Sequence, residues 1–315
     1  MILLERFESL ELLLLESLER RDSNEEIIDL LRRTKSGLAG ERRVDTELNM
    51  CLENDYIVLR DLVLHYQTQS FQMDCLLLSP HFAFVIEVKN MTGRIEYSSE
   101  QHQFIRIRQD GTFDCFTNPI DQVRRHQTLI EQLFRKWNIT LPVESAVIFA
   151  SRNVILPSIQ DGQMYHVTGL SYESKKLYEK HRSSYISNKQ LLQLGQMLLK
   201  LHTPRIKKVS FNRARLRKGV LCSRCKWQSV MRYERGSWRC RCGVSDNTQL
   251  RIALHDYRLL WNEKISNSEF REFTKIDCAD KAYYLLKKLG LDSEGKFKDK
   301  KYIIPANIWS ERKRL

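Results

Sequence analysis

No apolar run in this 315-residue sequence approaches the roughly 18 residues a membrane span needs, so no membrane-crossing helix and no membrane partner are expected. No secretion signal is expected either. The opening MILLERFESLELLLLESLERR is apolar enough to suggest one, but Glu5, Glu8, Glu11 and Glu16 interrupt it and no small-residue cleavage site follows. Its leucines recur at helical spacing, which predicts an amphipathic helix packed on something. The expected location is therefore cytoplasmic. There is no internal repeat and no long low-complexity tract. Apolar residues make up 42% and charged residues 29%, ordinary values for a globular chain long enough for two or more domains.

Acidic residues are nearly missing from one segment. Residues 205–251 hold 14 Lys+Arg against two Asp+Glu, whereas residues 1–204 hold 24 against 27 and residues 252–315 hold 14 against 10. Almost all of the net charge of +13 thus sits in one short stretch. That is the electrostatic footprint of a polyanion partner, nucleic acid before others; the alternative is a soluble basic linker.

Four of the eight cysteines, Cys51, Cys75, Cys115 and Cys278, are scattered in apolar surroundings and read as reduced core thiols. The other four are clustered. CSRC at 222–225 and CRCG at 240–243 place Cys222, Cys225, Cys240 and Cys242 at the spacing of a tetrahedral four-thiolate zinc site on two tight turns. Between them KWQSVMRYERGSWR reads as two short strands turning at Arg235-Gly236, which makes a zinc ribbon over residues 220–247. Its second knuckle is C-x-C, one residue short of the usual C-x-x-C, which strains the turn or shifts its geometry. A redox disulfide pair is the alternative. Zinc here would supply folding energy, since four thiolates leave no position open for water.

The remaining chain reads as follows. Residues 1–36 form two helices that pack on the core, with a turn at Ser36-Gly37. Residues 37–203 form a mixed α/β domain. Its helices are GERRVDTELNMCLE, NPIDQVRRHQTLIEQLFRKW with Pro119 in the first turn, and NKQLLQLGQMLLKLH. Its strands are YIVLRDLVLHY, SFQMDCLLLS, HFAFVIEVKN, RIEYSSE, HQFIRIRQ and VESAVIFAS. Residues 204–219 are a basic linker. Residues 248–315 are helical with a basic hairpin-like end. That order is winged-helix-like, with CADKAYYLLKKLG in the place of the recognition helix and GKFKDKKY as the wing. The alternative is a small helical bundle in which Tyr283, Tyr284 and Leu286 are core. The cations expected on phosphates are Lys207, Lys208, Arg213, Arg215, Arg217 and Lys218 of the linker, with Lys287 and Lys288 of the last helix. Trp238 is expected to stack on bases. Alternatively, Trp227 and Trp238 fill the ribbon core.

One strand carries chemistry. In HFAFVIEVKN, Glu87 and Lys89 lie two residues apart and so on the same face of a buried strand. Asp74 lies on the preceding strand, and a hairpin at Ser79-Pro80 sets the two side by side. Two carboxylates on neighbouring strands can hold one hard divalent cation together with water and a substrate phosphate, with Mg²⁺ the best match. Such an ion lowers the pKa of a bound water, and an adjacent lysine can orient that water or stabilise the phosphorane. The alternative is an edge-strand Glu/Lys pair.

GLAGERRVDTEL (37–48), FQMDCLLLS (71–79), FVIEVKNMTGRI (84–95) and TNPIDQV (117–123) occur in this order. Together they resemble the nuclease-related domain, NERD, of the PD-(D/E)-x-K nuclease superfamily, over roughly residues 35–150. Met73 departs from the proline common there. The resemblance implies a restriction-endonuclease-like mixed sheet flanked by helices. It implies metal ligation by Asp74, Glu87 and the Val88 carbonyl, and Lys89 as catalytic lysine. It also implies Glu41 as an additional carboxylate and Gln122 as a contact to the site or the DNA backbone. Alternatively, Glu41 is a solvated first-turn carboxylate and Gln122 a surface residue. The expected activity is Mg²⁺- or Mn²⁺-dependent DNA hydrolysis, targeted by the ribbon and the C-terminal module. The alternative is a nucleic-acid-binding protein that keeps the fold without cleavage. The N-terminal helices offer a surface for a homo-oligomer or a protein partner, although packing on the nuclease domain accounts for their apolar stripe as well.

Overall fold

A computed structural model of the chain describes all residues except 23, 52–55, 67, 159–162, 206, 208 and 310–315. Lys208, expected on phosphates, and the side chain of Cys51, expected in the core, lie outside the described residues. The chain divides into two compact units, Met1–Phe7 with Thr34–Arg205 and Glu8–Arg33 with Ile206–Leu315.

The N-terminal region departs from expectation. Residues 1–36 are not simply two helices on the core. Ile2–Leu4 form strand β1 of the first unit; α1 (Leu10–Arg21) belongs to the second unit; α2 (Glu25–Cys51) begins in the second and ends in the first. No turn interrupts α2 at Ser36-Gly37. A helical glycine costs only about 1 kcal/mol, and Gly40 makes up for it by contact. A Cβ on Gly40 would stand 2.5 Å from the Asn90 Cβ, so the bare backbone lets α2 lie directly against the end of strand β4 (Ala83–Lys89).

The first unit continues through β2 (Ile57–Tyr66), β3 (Gln69–Leu78), the same β4, β5 (Gly93–Ser98), β6 (Gln103–Ile107) and β7 (Phe113–Phe116). Then come α3 (Pro119–Lys136), β8 (Val143–Phe149), β9 (Val154–Ile155), β10 (Met164–His166), α4 (Leu170–Lys180) and α5 (Asn188–Leu201). Six strands form a mixed sheet in the order β1-β2-β3-β4-β8-β10, antiparallel from β2 to β4 and parallel elsewhere. Its apolar alternation gives it two buried faces. One packs Ile120, Val123 and Phe134 of α3 and Leu191, Leu194 and Leu198 of α5. The other packs Val44 and Leu48 of α2 and Leu170 of α4. A second sheet, β7-β6-β5-β9, follows directly from β4. The mixed α/β expectation holds: a mixed sheet flanked by helices. Of the expected core thiols, Cys75 is buried, but Cys115 and Cys278 are exposed. Cys115 lies on β7, where Phe113 and Phe116 are exposed as well, and Cys278 precedes the first turn of the helix that starts at Ala279.

The second unit adds β11 (Arg232–Glu234), β12 (Ser237–Arg239), α6 (Thr248–Leu260), β13 (Lys264–Ser266), α7 (Asn267–Thr274), α8 (Ala279–Lys288), β14 (Ser293–Glu294) and β15 (Lys301–Ile303). The last three strands form an antiparallel sheet, β13-β15-β14. Segments expected as separate ribbon and helical domains share one core. Val220, Met231 and Trp238 pack with Leu254, Tyr257, Phe270, Phe273, Leu286 and Tyr302. Leu12, Leu15 and Leu18, the apolar stripe of α1, are buried, and α1 packs on α6. Arg20 and Arg21 each reach Asp256 at 2.8 Å.

Candidate functional site

The hairpin expected at Ser79-Pro80 forms. The Ser79 hydroxyl accepts from the backbone N–H groups of His81 (3.2 Å) and Phe82 (3.0 Å), closing the turn. The β3–β4 register runs from Leu78↔Ala83 to Cys75↔Ile86, so the next step sets Asp74 opposite Glu87. There the ladder yields to a side chain. Val88 N–H donates to Asp74 Oδ2 at 2.7 Å, which pins the carboxylate against β4.

Asp74 faces a second acid on its other side. The β2–β3 register is continuous on both sides of Asp61, with Arg60↔Cys75 and Leu62↔Met73, leaving Asp61 opposite Asp74 where no pairing forms. At this point the apolar face changes phase in both strands. Ile57 and Leu59 give way to Leu62 and Leu64 on β2, and Phe71 and Met73 to Leu76 and Leu78 on β3, all in one core. Asp61 takes a left-handed backbone, φ 52°, which an Asp tolerates better than most residues. The phase change releases Asp61 and Asp74 from that core, and α2 supplies Glu41 to meet them. Oxygens of Glu41, Asp61 and Asp74 lie within 4.8 Å of one another. Glu41 sits in mid-helix rather than in a first turn, so solvation at a helix start is not its role.

A guanidinium crosses this group. The Arg6 side chain is 3% exposed and donates to Asp45 at 2.7 Å, Glu41 at 2.8 Å and Asp61 at 2.6 Å. Its remaining nitrogen reaches the Asp74 carbonyl at 2.8 Å. Sequence reasoning missed Arg6, Asp45 and Asp61. Arg6 lay in what read as a helix. The only available signal for Asp61 was a charged Arg-Asp pair inside an otherwise apolar strand.

Glu87 and Lys89 form the other half of the site. Lys89 Nζ donates to Glu87 Oε1 at 2.7 Å and to Gln122 Oε1 at 3.4 Å. Gln122 is delivered by the start of α3, where Asn118 caps the helix through Ile120 N–H at 3.0 Å and Pro119 occupies the first turn. Glu87 is 4% exposed, and its Oε2 has no hydrogen-bond partner among the described residues. Burial, followed by repulsion from Asp74, raises Glu87 to about 8 against the pull of Lys89. The same two causes raise Glu41 to about 7. Burial also raises Asp61 and Asp74. Enclosed carboxylates that repel one another in this way form an oxygen donor set suited to a hard cation.

In the second unit the four clustered cysteines come together as expected. Cys222 and Cys242 sulfurs are 3.8 Å apart, and those of Cys225 and Cys240 are 3.7 Å apart. Sulfurs on a tetrahedron at about 2.3 Å from a metal stand about 3.8 Å apart, so the set fits zinc. The short C-x-C knuckle is accommodated by Gly243, φ 89°, and by Cys240 N–H donating to the Val244 carbonyl at 2.8 Å. The Val244 N–H holds Cys242 down to about 7. The hairpin turns at Arg235-Gly236 as expected, both with positive φ.

One nucleic-acid expectation needs correction. Trp238 is 1% exposed and packs against Tyr233, so its ring is closed to bases. The linker cations stay exposed or half-buried while making contacts within their own unit. Lys207 pairs with Glu11 and Arg215 with Asp22. Lys218 pairs with Glu272, and Arg217 donates to the carbonyls of Arg20 and Arg21. Arg213 is exposed. On α8, Leu286 is core, whereas Tyr283, Tyr284, Lys287 and Lys288 are exposed.

No described helix is long and apolar enough to cross a membrane. No curated protein and no solved structure matches the chain. Residues 36–150, which carry Glu41, Asp61, Asp74, Glu87, Lys89 and Gln122, match the family model of the nuclease-related domain, and the chain thus contains a NERD domain that implies nucleic acid as its substrate class.

Proposed function

We propose that the chain is a divalent-cation-dependent nuclease that hydrolyses DNA phosphodiester bonds. The observation that carries this reading is Glu87. One of its oxygens takes the Lys89 ammonium, while the other is buried without a partner at the register position opposite Asp74. A buried orphan acceptor beside a second carboxylate is costly unless a ligand satisfies it. Mg²⁺ or Mn²⁺ suits the all-oxygen donors, with Asp74 and Glu87 as ligands and Glu41, Asp61 and the Val88 carbonyl as further donors. When bound, such an ion neutralises phosphate charge and lowers the pKa of a water. Lys89 orients the attacking water and sets positive charge against the developing phosphorane, and Gln122 holds the ammonium in place. Arg6 balances the three carboxylates it touches.

Targeting falls to the second unit. The order α6-β13-α7-α8-β14-β15 supports a winged-helix reading, with α8 presenting Tyr283, Tyr284, Lys287 and Lys288 and the β14–β15 turn presenting Phe297, 95% exposed. The four thiols would hold a structural Zn²⁺. The test is cleavage of labelled single- and double-stranded DNA by zinc-replete protein, with and without Mg²⁺ or Mn²⁺, for wild type and Lys89→Ala. Cation-dependent cleavage lost in the variant is expected. Cutting that persists equally in Lys89→Ala would overturn the assignment, and binding without any cutting would leave the fold as a platform.

A further inference from the structure

The linker cations expected on phosphates mostly make contacts within their own unit, yet the second unit carries others that do not. A groove of about 810 Å³ lies between the ribbon hairpin and the α7–α8 connection. Arg232 and Arg241 line it from the ribbon, and Lys275 and Lys281 from the helical side. All four are exposed, and none has an ion pair or a side-chain hydrogen bond among the described residues. Glu234 and Asp277 line the same groove without pairing to them, so four cations face two carboxylates. The half-buried Tyr233 contributes an aromatic wall.

Like charges gathered in one concavity repel one another, and a line of phosphates relieves this. From Lys281 at the groove, α8 carries a further polar stripe. Lys281, Tyr284 and Lys288 are spaced three and four residues apart on one helix face, and all are exposed. Tyr233 and Lys288 also line one neighbouring cavity together. Both walls grow from one core, in which Met231 and Trp238 of the ribbon pack with Phe273, Leu285 and Leu286 of α7 and α8. The cations are thus carried on a preorganised frame, which reduces the cost of ordering them on a ligand.

We propose that this groove binds the sugar-phosphate backbone of a DNA strand, so that the ribbon and α8 act as one composite surface. The inference deepens the nucleic-acid reading above and rests on it for the class of ligand.

The experiment measures DNA affinity by fluorescence anisotropy across a salt series, using zinc-loaded full-length protein in a Lys89→Ala background. The probes are a labelled duplex and the corresponding single strand. One variant carries Arg232→Gln, Arg241→Gln, Lys275→Gln and Lys281→Gln. A control removes the same charge elsewhere, through Arg135→Gln, Lys136→Gln, Lys175→Gln and Lys189→Gln. Zinc content and circular dichroism verify folding. The expected result is at least a tenfold loss of affinity in the groove variant alone. Its slope of log K against log salt should flatten by about 3 to 4 for the duplex, near 0.9 per lost contact, or by somewhat less for the single strand. Each single substitution should flatten the duplex slope by about 0.9. Unchanged binding overturns the proposal. So does an equal loss in the control, and so does competition by polyglutamate as effective as that by unlabelled DNA. Cleavage is not read in this assay, so a failure of the hydrolytic reading and a failure of the groove are separate results.

Discussion

The carboxylate site and the cysteine cluster are built in opposite ways. The four thiols come from 21 consecutive residues, 222–242, and two tight turns bring them together. The carboxylates come from a helix and three strands, with Arg6 from the N-terminal stretch and Gln122 from a further helix. Local turns assemble the first donor set, with little else needed beyond a metal. The second exists only once the six-stranded sheet is complete, and it carries the cost of several buried charges. Loss of a thiol should therefore act on folding, whereas loss of a carboxylate partner or of Lys89 should act on charge balance and chemistry.

The largest expected effect tests the thiol side. Cys222→Ser should abolish stoichiometric zinc and remove metal-binding energy on the order of 10 kcal/mol, melting the second unit while the first keeps its own transition. Calorimetry with metal analysis checks this, and full zinc content in the variant would contradict it. Next is Arg6→Ala. Removing a 3%-exposed guanidinium from Glu41, Asp45 and Asp61 should destabilise the first unit by about 3–5 kcal/mol, with Mg²⁺ restoring part of the loss. Denaturant titrations with and without Mg²⁺ measure it, and no change in midpoint would mean that the acids need no counter-charge.

Lys89→Ala should leave the midpoint nearly unaltered and lower the rate of DNA cleavage about 10²- to 10³-fold. Single-turnover kinetics separates this from weaker binding. The smallest effect is a pH dependence. Glu87 at about 8 and Glu41 at about 7 stand above their unfolded values, so the fold favours their protonated forms. In protein loaded with zinc alone, the stability they contribute is complete below about pH 4.5 and is lost as pH rises through 7 to 8. Mg²⁺ prefers the ionised acids, so its stabilisation of the first unit should grow over the same interval. Thermal melts at pH 5, 7 and 8.5 read both slopes, and a first unit equally stable at all three without Mg²⁺ would refute the raised acids.

Much of this was legible in advance where the chemistry is local. Alternation put Glu87 and Lys89 on one face, the Ser79-Pro80 turn set Asp74 beside them, and the spacing of four cysteines was sufficient to define their cluster. Gln122 was implied by the family resemblance alone, and the Asn118-Pro119 start of α3 brings it to Lys89. Other features were hidden because distant contacts override local preference. Gly37 signals a turn, yet α2 runs through it, because Gly40 lets the helix close on Asn90. Asp61 escaped an argument from alternation because its left-handed backbone marks the point where alternation breaks.

The sequence by itself determined the mixed α/β character of the first unit, the identity of the Asp74–Glu87–Lys89 group and the thiol cluster, since strand period, turn chemistry and ligand spacing are properties of short segments. Only the tertiary structure decided that Arg6 enters the acidic site, that Trp238 is core, that the linker cations mostly make contacts within their own unit, and that the ribbon and α8 share a frame. Those outcomes depend on which surfaces meet, and the free energy of burying a charge or a ring is fixed by neighbours that lie far away along the chain.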